Sequence, residues 1–263
     1  MTYVLYLLLS LYSAAPAQPE TITSLHTANI TAVTDSIDHT TATHVDAAVS
    51  FDDSLQTLYT SIGLEKYNLS YKVFKYAVIG YYTLRMQGKL NDKNLLSIID
   101  FTKPSTQKRF YTIDLEHHIV KFFTYVSHGK NTGEDIAKSF SNMVHSNQSS
   151  LGFYVTAETY VGSKGYSLKL DGMEKGYNDN MRERAVVMHD AEYVSEYWIK
   201  HYGRLGRSQG CPALSKEIAR EVIDAIKGHT AIFAYFNDEN YLSTSRYLNL
   251  DQLLQNVNVT AKR

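Results

Sequence analysis

The sequence predicts an α+β protein, a mostly β body with a small helical segment on its N-terminal side. Three observations carry this expectation. Apolar residues at helical spacing fill residues 49–92. From Leu95 the period shortens to short apolar runs separated by turn-forming residues. Few helical stripes then interrupt those runs before the expected end of the body at residue 240.

Residues 1–17 have the form of an export signal. A short apolar run from Val4 to Leu11 precedes the small-residue pattern Ala15-Pro16-Ala17. Export to the periplasm or cell envelope is therefore expected, with cleavage before Gln18. Residues 18–48 are rich in Thr, Ala, Ser, Asp and His without periodicity, the composition of a flexible linker. Asp52 or Asp53 is placed to cap a helix carrying Leu55, Leu58, Tyr59 and Ile62 on one face. Ser70 opens a second, with Val73, Phe74, Ala77, Val78, Tyr81 and Leu84 inward and Gly88 as its stop.

The body is expected over residues 93–240. "LLSIIDFT" and "KRFYTIDL" are strands around the turn "KPSTQ", and "IVKFFTYVSHG" is a third, ending at Gly129. "SLGFYVTAETYVG" and "GYSLKL" form a pair around Gly162 and Gly165. "RAVVMHDA" is a buried strand that delivers His189 at its end. Ala191, Val194 and Trp198 mark a helical stripe. Ile218, Ala219, Val222, Ile223 and Ile226 mark a helix stopped by Gly228, and "TAIFAYF" closes the body as a core strand. Residues 241–263 look like a short polar extension.

The net charge of −1 gives no electrostatic case for nucleic acid or an anionic surface. No interior stretch of about 18–20 apolar residues occurs, so no integral span is expected after signal cleavage. A single cysteine and the lack of an H-E-x-x-H pattern argue against a zinc site, and no cofactor is expected. A monomer is expected.

The one cysteine, Cys211, lies in "GRLGRSQGCPALS". It cannot form an intramolecular disulfide, and in an exported chain an odd thiol points to reactivity. Thiol chemistry requires the thiolate, so an imidazole partner is the first requirement. His189, held at a strand end 22 residues upstream, is the best placed. Gly210 permits close backbone approach and unusual dihedral angles, and Pro212 fixes the chain direction beyond the thiol. Backbone N–H groups at such a turn can face a developing oxyanion. Arg204 and Arg207 can hold a carboxylate or lower the thiol pKa.

The segment "RERAVVMHDAEYVSEYWIKHYGRLGRSQGCPAL" resembles the murein L,D-transpeptidase catalytic domain, in its YkuD-like branch. "SSLGFYVTAETYVGSKGYSLKLDGMEKGYNDN", "IIDFTKPSTQKRFYTIDL" and "SHGKNTGEDIAKSFSN" resemble it too, so the likeness covers roughly residues 95–236. It implies that Cys211 is the nucleophile and His189 its base. Ser208 and Gly210 match the motif that shapes the oxyanion-binding turn. The carbonyl of Asp190, where glycine is usual, would orient the imidazole. Gln209 stands where the commoner motif has a second histidine. Pro212 and Ala213 follow the cysteine where a polar or basic residue is common. Substrate carboxylate binding must then come from Arg204, Arg207 or Arg184, with Gln209 and His128 as further cleft candidates.

The resemblance further implies attack by Cys211 on the bond between a third-position diamino acid and a terminal D-alanine of a peptidoglycan stem peptide. A thioester forms, and an amine then takes the acyl group in a 3→3 cross-link. With water as acceptor the same site is an L,D-carboxypeptidase. A rival of another kind is a non-catalytic wall-binding protein on the same fold. The order His189 before Cys211 is opposite to that of papain-like peptidases.

Overall fold

The structure, a computed structural model, describes the backbone of residues 38–261 and side-chain surroundings over residues 47–257. The expected signal and most of the expected linker lie outside the described residues. The chain divides into two compact units. One comprises the chain up to Leu58 together with Leu250–Arg263; the other is Tyr59–Asn249.

Helix α1 spans Asp38–Ile62 and begins well upstream of the expected caps, so Asp52 and Asp53 lie in its interior. The stretch from Asp38 that looked like linker holds Ala42, Ala47 and Ala48, strong helix formers. Phe51, Leu55 and Leu58 continue one buried stripe at helical spacing. In the same unit, α6 (Leu250–Ala261) buries Leu253, Leu254 and Val257. The polar look of the C-terminus thus conceals an amphipathic helix.

In the larger unit, α2 (Tyr71–Met86) starts where expected. The Ser70 hydroxyl accepts from the Val73 N–H at 3.3 Å. Gly88, at φ +66°, ends it in a left-handed turn. Eight strands form one sheet in the order β3-β2-β1-β8-β4-β5-β6-β7. They are β1 (Leu95–Asp100), β2 (Phe110–Asp114), β3 (Ile119–Thr124), β4 (Gly152–Gly162), β5 (Gly165–Gly172), β6 (Val187–Asp190), β7 (Ala213–Leu214) and β8 (Ala231–Tyr235). Pairing is antiparallel except for β1–β8 and β6–β7. The α+β class expected from the sequence is the class observed.

Helix α2 reaches the sheet through a glycine. A Cβ added at Gly80 would lie 2.0 Å from the Phe153 ring of β4. That ring cannot yield, because it stacks on Phe233 of β8 with centroids 4.4 Å apart. Gly80→Val is therefore expected to destabilise the protein by about 3 kcal/mol, the upper end for overpacking. Thermal unfolding checks this, and an unchanged midpoint would disprove the close contact.

Three further elements differ from expectation. The third strand stops at Thr124, short of Gly129. The stripe at Ala191 and Val194 is a buried turn, and helix α3 (Glu196–Tyr202) begins only after the Ser195 cap. Helix α4 (Ala219–Ile226) falls as expected. After β8, α5 (Glu239–Thr244) and a 3-10 turn (Arg246–Leu248) carry the body to Asn249. Tyr241 and Tyr247 are fully buried there, and the buried Glu174 carboxylate accepts from the Tyr241 and Ser245 hydroxyls. Aromatic anchors, invisible as a periodic pattern, extend the core past residue 240.

Candidate active site

The far edge of the sheet builds the site. Strand β6 is only four residues long, flanked by β5 in antiparallel and β7 in parallel register. His189 pairs with Ser167 on one side and Ala213 on the other. Ala213 is two residues beyond Cys211, so the parallel register lays the chain at Cys211 beside Val187. The Val187 N–H accordingly donates to Cys211 Sγ at 3.5 Å. The two-residue strand β7, too short for a pattern in sequence, is what brings the motif to the histidine.

The turn from Ser208 to Cys211 is self-bracing. The Ser208 hydroxyl donates to the Cys211 carbonyl at 2.6 Å and accepts from the Gly210 N–H at 3.0 Å. Gly210 sits at φ +123°, and a Cβ there would lie 2.7 Å from the Gln148 carbonyl. Only glycine suits that position. The Gly210 N–H is therefore spent on Ser208. The Cys211 N–H lies at the end of this turn and acts on its own thiol. Gln209, the unusual residue of the motif, is exposed, while its neighbours Ser208 and Gly210 are buried. The geometry of the turn does not depend on its side chain.

His189 is buried, and its Nδ1 donates to the Asp190 carbonyl at 2.7 Å. A carbonyl can only accept, so the proton of the neutral ring sits on Nδ1 and the Nε2 lone pair stays free. The Asp190 side chain lies toward Gly165 of β5, 3.6 Å from where a Cβ would stand. Burial lowers the His189 pKa below the ordinary 6.5. Burial raises the Cys211 thiol above 9.0, opposed by the Val187 N–H and by the charges of Arg184 and Lys164. Both groups thus rest neutral near pH 7.

Arg184 does not face the cleft. Its guanidinium donates to the carbonyls of Ser141 and Gln148 and to the hydroxyls of Ser146 and Ser150. It braces the loop 141–150 behind Gly210 and leaves its charge near the thiol. His128 is likewise withdrawn from the cleft where it was expected. It is fully buried; Arg109 Nη2 donates to its Nδ1 at 2.7 Å, and its Nε2 donates to the Gly133 carbonyl at 3.3 Å. Its role is to carry the segment that pairs with the motif, since its own carbonyl accepts from the Ser208 N–H at 3.0 Å.

Burial, and then the Arg109 charge, lower the His128 pKa to about 4. The unfolded chain binds more protons between pH 6.5 and 4, so stability rises with pH across that window. Acidification from pH 7 to 4 is expected to cost about 3 kcal/mol through this one group. Urea unfolding at both pH values measures it. A His128→Gln variant with the same pH slope as wild type would refute the assignment.

Arg204 and Arg207 line a cavity of about 260 Å³ together with Lys130, Tyr193, Trp198 and Gly206, and the charges that act on the thiol come instead from Arg184 and Lys164. Tyr193 lines this cavity and feels the charge of Cys211. Its Cβ would clash with any side chain at Gly206, so the two pack flush. Burial and then the charge of Cys211 push its hydroxyl up to about 12. Sequence reasoning missed Tyr193, Lys130, Val187 and Lys164. Trp198 it placed only on a helical stripe. Lys164, in the β4–β5 turn, acts on both His189 and Cys211 by charge. A lysine in a Gly-Ser-Lys-Gly turn carries no local sign of this, because only strand pairing brings it there.

No curated protein matches the chain. Among solved structures it is similar to an L,D-transpeptidase from Mycobacterium smegmatis, at 13% identity and a TM-score of 0.34, covering 54% of this chain and 59% of that one. L,D-transpeptidase 3 from Mycobacterium tuberculosis gives 14% and 0.33, covering 54% and 61%. The helical cell shape determining protein Pgp2 from Campylobacter jejuni gives 11% and 0.40, covering 70% and 63%. The chain thus spans about three-fifths of the length of these structures. The family model for the L,D-transpeptidase catalytic domain matches residues 65–235, a span that takes in α2 and the sheet as far as β8. With that match over most of its length, the chain belongs to the L,D-transpeptidase catalytic-domain family.

Proposed function

We propose that the protein is a cysteine-dependent L,D-transpeptidase acting on peptidoglycan stem peptides in the cell envelope. The observation that carries this reading is the β6–β7 register. It sets the thiol of Cys211 against the strand that holds His189, whose Nε2 is left free by the Asp190 carbonyl.

The proposed steps use the groups present. Cys211 Sγ attacks the carbonyl joining the L-centre of the third residue to the terminal D-alanine, and His189 Nε2 takes the thiol proton. The oxyanion of the tetrahedral intermediate is held by backbone N–H donors of the turn around Cys211. The carbon–nitrogen bond breaks, His189 returns its proton to the departing amine, and D-alanine leaves. An amine from a second stem peptide then attacks the thioester, giving a 3→3 cross-link and restoring the thiol. Ser208 and Gly210 position the turn.

The test is incubation of the full chain with a carbapenem and, separately, with tetrapeptide muropeptides, read by mass spectrometry. A covalent adduct on Cys211 and release of D-alanine are expected. Tripeptide product without cross-links would identify water as acceptor and make the enzyme an L,D-carboxypeptidase. Neither adduct nor release would leave a non-catalytic wall-binding protein.

A further inference from the structure

The cavity beside Tyr193 contains an ion arrangement that the mechanism does not use. The Glu134 carboxylate straddles two guanidiniums: Oε2 lies 2.9 Å from Arg204 Nε, and Oε1 lies 2.7 Å from Arg207 Nη1. The two sides of this contact are built differently. The arginine side chains are 26% and 22% exposed, whereas that of Glu134 is 71% exposed.

Backbone carbonyls fix the arginines independently of the glutamate. Arg207 Nη1 also donates to the carbonyls of Lys130 and Gly133, and Arg204 Nη1 to that of Leu205. Glu134 itself stands in a tight loop closed by the bridge between Gly133 and Ala137. The cations are fixed and the anion is peripheral. Lys130 adds a third positive charge to the cavity lining, which Glu134 adjoins through the two guanidiniums. Tyr193 and Trp198 form its aromatic wall.

We propose that Arg204 and Arg207 form a binding site for a carboxylate of the peptide substrate, and that Glu134 occupies it as an internal stand-in until the substrate displaces it. The ligand class is an anionic peptide, gripped by two guanidiniums and seated along the Tyr193–Trp198 wall. Displacement is cheap, because an exposed ion pair contributes little. The incoming carboxylate recovers the same bonds and adds the attraction of Lys130 and contact with the aromatic rings. This assignment rests on the transpeptidase reading for its substrate, and it names the residues that recognise it.

The test is a binding titration on the full chain carrying Cys211→Ala, so that no turnover occurs. Trp198, the only tryptophan of the chain, reports on the cavity by its fluorescence. The probes are a stem tetrapeptide with free carboxylates and the same peptide with every carboxylate converted to a carboxamide. Adding Glu134→Gln is expected to tighten binding of the free acid about three- to tenfold, the worth of one or two exposed ion pairs. The amide is expected to show no change. Adding Arg204→Gln and Arg207→Gln is expected to abolish the preference for the acid.

Equal affinity of the acid with and without Glu134→Gln would overturn the proposal. So would an equal gain by the amide, or no binding of either peptide. D-Alanine release by the wild-type chain is measured separately. Release together with an unresponsive Glu134→Gln refutes the stand-in alone. Acid-selective binding without release refutes the transpeptidase reading and leaves the carboxylate site in place.

Discussion

Replacing His189 by alanine is expected to slow acylation of Cys211 by about 10²–10⁴, the usual worth of a general base. It should also change the shape of the pH profile. In the wild type the thiol is held above its ordinary pKa by burial, and the imidazole below its own, also by burial. The pair therefore rests as thiol and neutral imidazole, not as an ion pair. The proposed mechanism uses His189 unprotonated, so the rate should rise as pH climbs through a value below 6.5 and then level off. Without His189 only the spontaneously formed thiolate reacts. The variant's rate should then rise with hydroxide toward the thiol's own pKa above 9.0, with no plateau near neutrality. Stopped-flow acylation by a carbapenem across pH 5–10 reads both features. An unchanged plateau in the variant would move the base role elsewhere, and the buried, doubly bonded His128 is not available to take it.

Cys211→Ala is expected to remove D-alanine release and carbapenem labelling altogether, a loss of about 10⁵–10⁶, as for other lost nucleophiles. The fold should survive. The sulfur's polar contacts are long, 3.5 Å to the Val187 N–H and 3.9 Å to the Ala185 carbonyl, so little stability rests on it. Release measured by chromatography, with thermal unfolding as the control, separates chemistry from folding. Full release by the alanine variant would remove Cys211 from the mechanism.

Much of this site was legible in the sequence, because its parts are local. A short apolar strand ending in His189 and a Ser-x-Gly-Cys turn are contiguous patterns, and both are formed as expected. The Asp190 carbonyl orients the imidazole because a backbone acceptor is indifferent to the side chain that replaced glycine. Gln209, the least comfortable residue of the motif, is exposed beside a turn that Ser208 and Gly210 shape.

What failed in the reading shares one cause. Arg184 and His128 were placed in the cleft because their residue types suit it. The structure instead spends every hydrogen-bonding nitrogen of His128, and much of the Arg184 guanidinium, on partners 5–43 residues away in sequence. Such partners leave no periodic trace. The same holds for the aromatic anchors Tyr241 and Tyr247 and for the helix that begins at Asp38.

The sequence by itself determined the class of the fold and most of its strands, and it singled out the thiol and the imidazole that are proposed to act. These follow from local periodicity and from the rarity of a single cysteine. Tertiary structure alone decided which charges stay near the thiol, that the Gly210 N–H is bound by Ser208, and that Arg204 and Arg207 share one exposed glutamate. Those outcomes depend on strand register and loop packing, where a residue's partner is set by distance in space and not by distance along the chain.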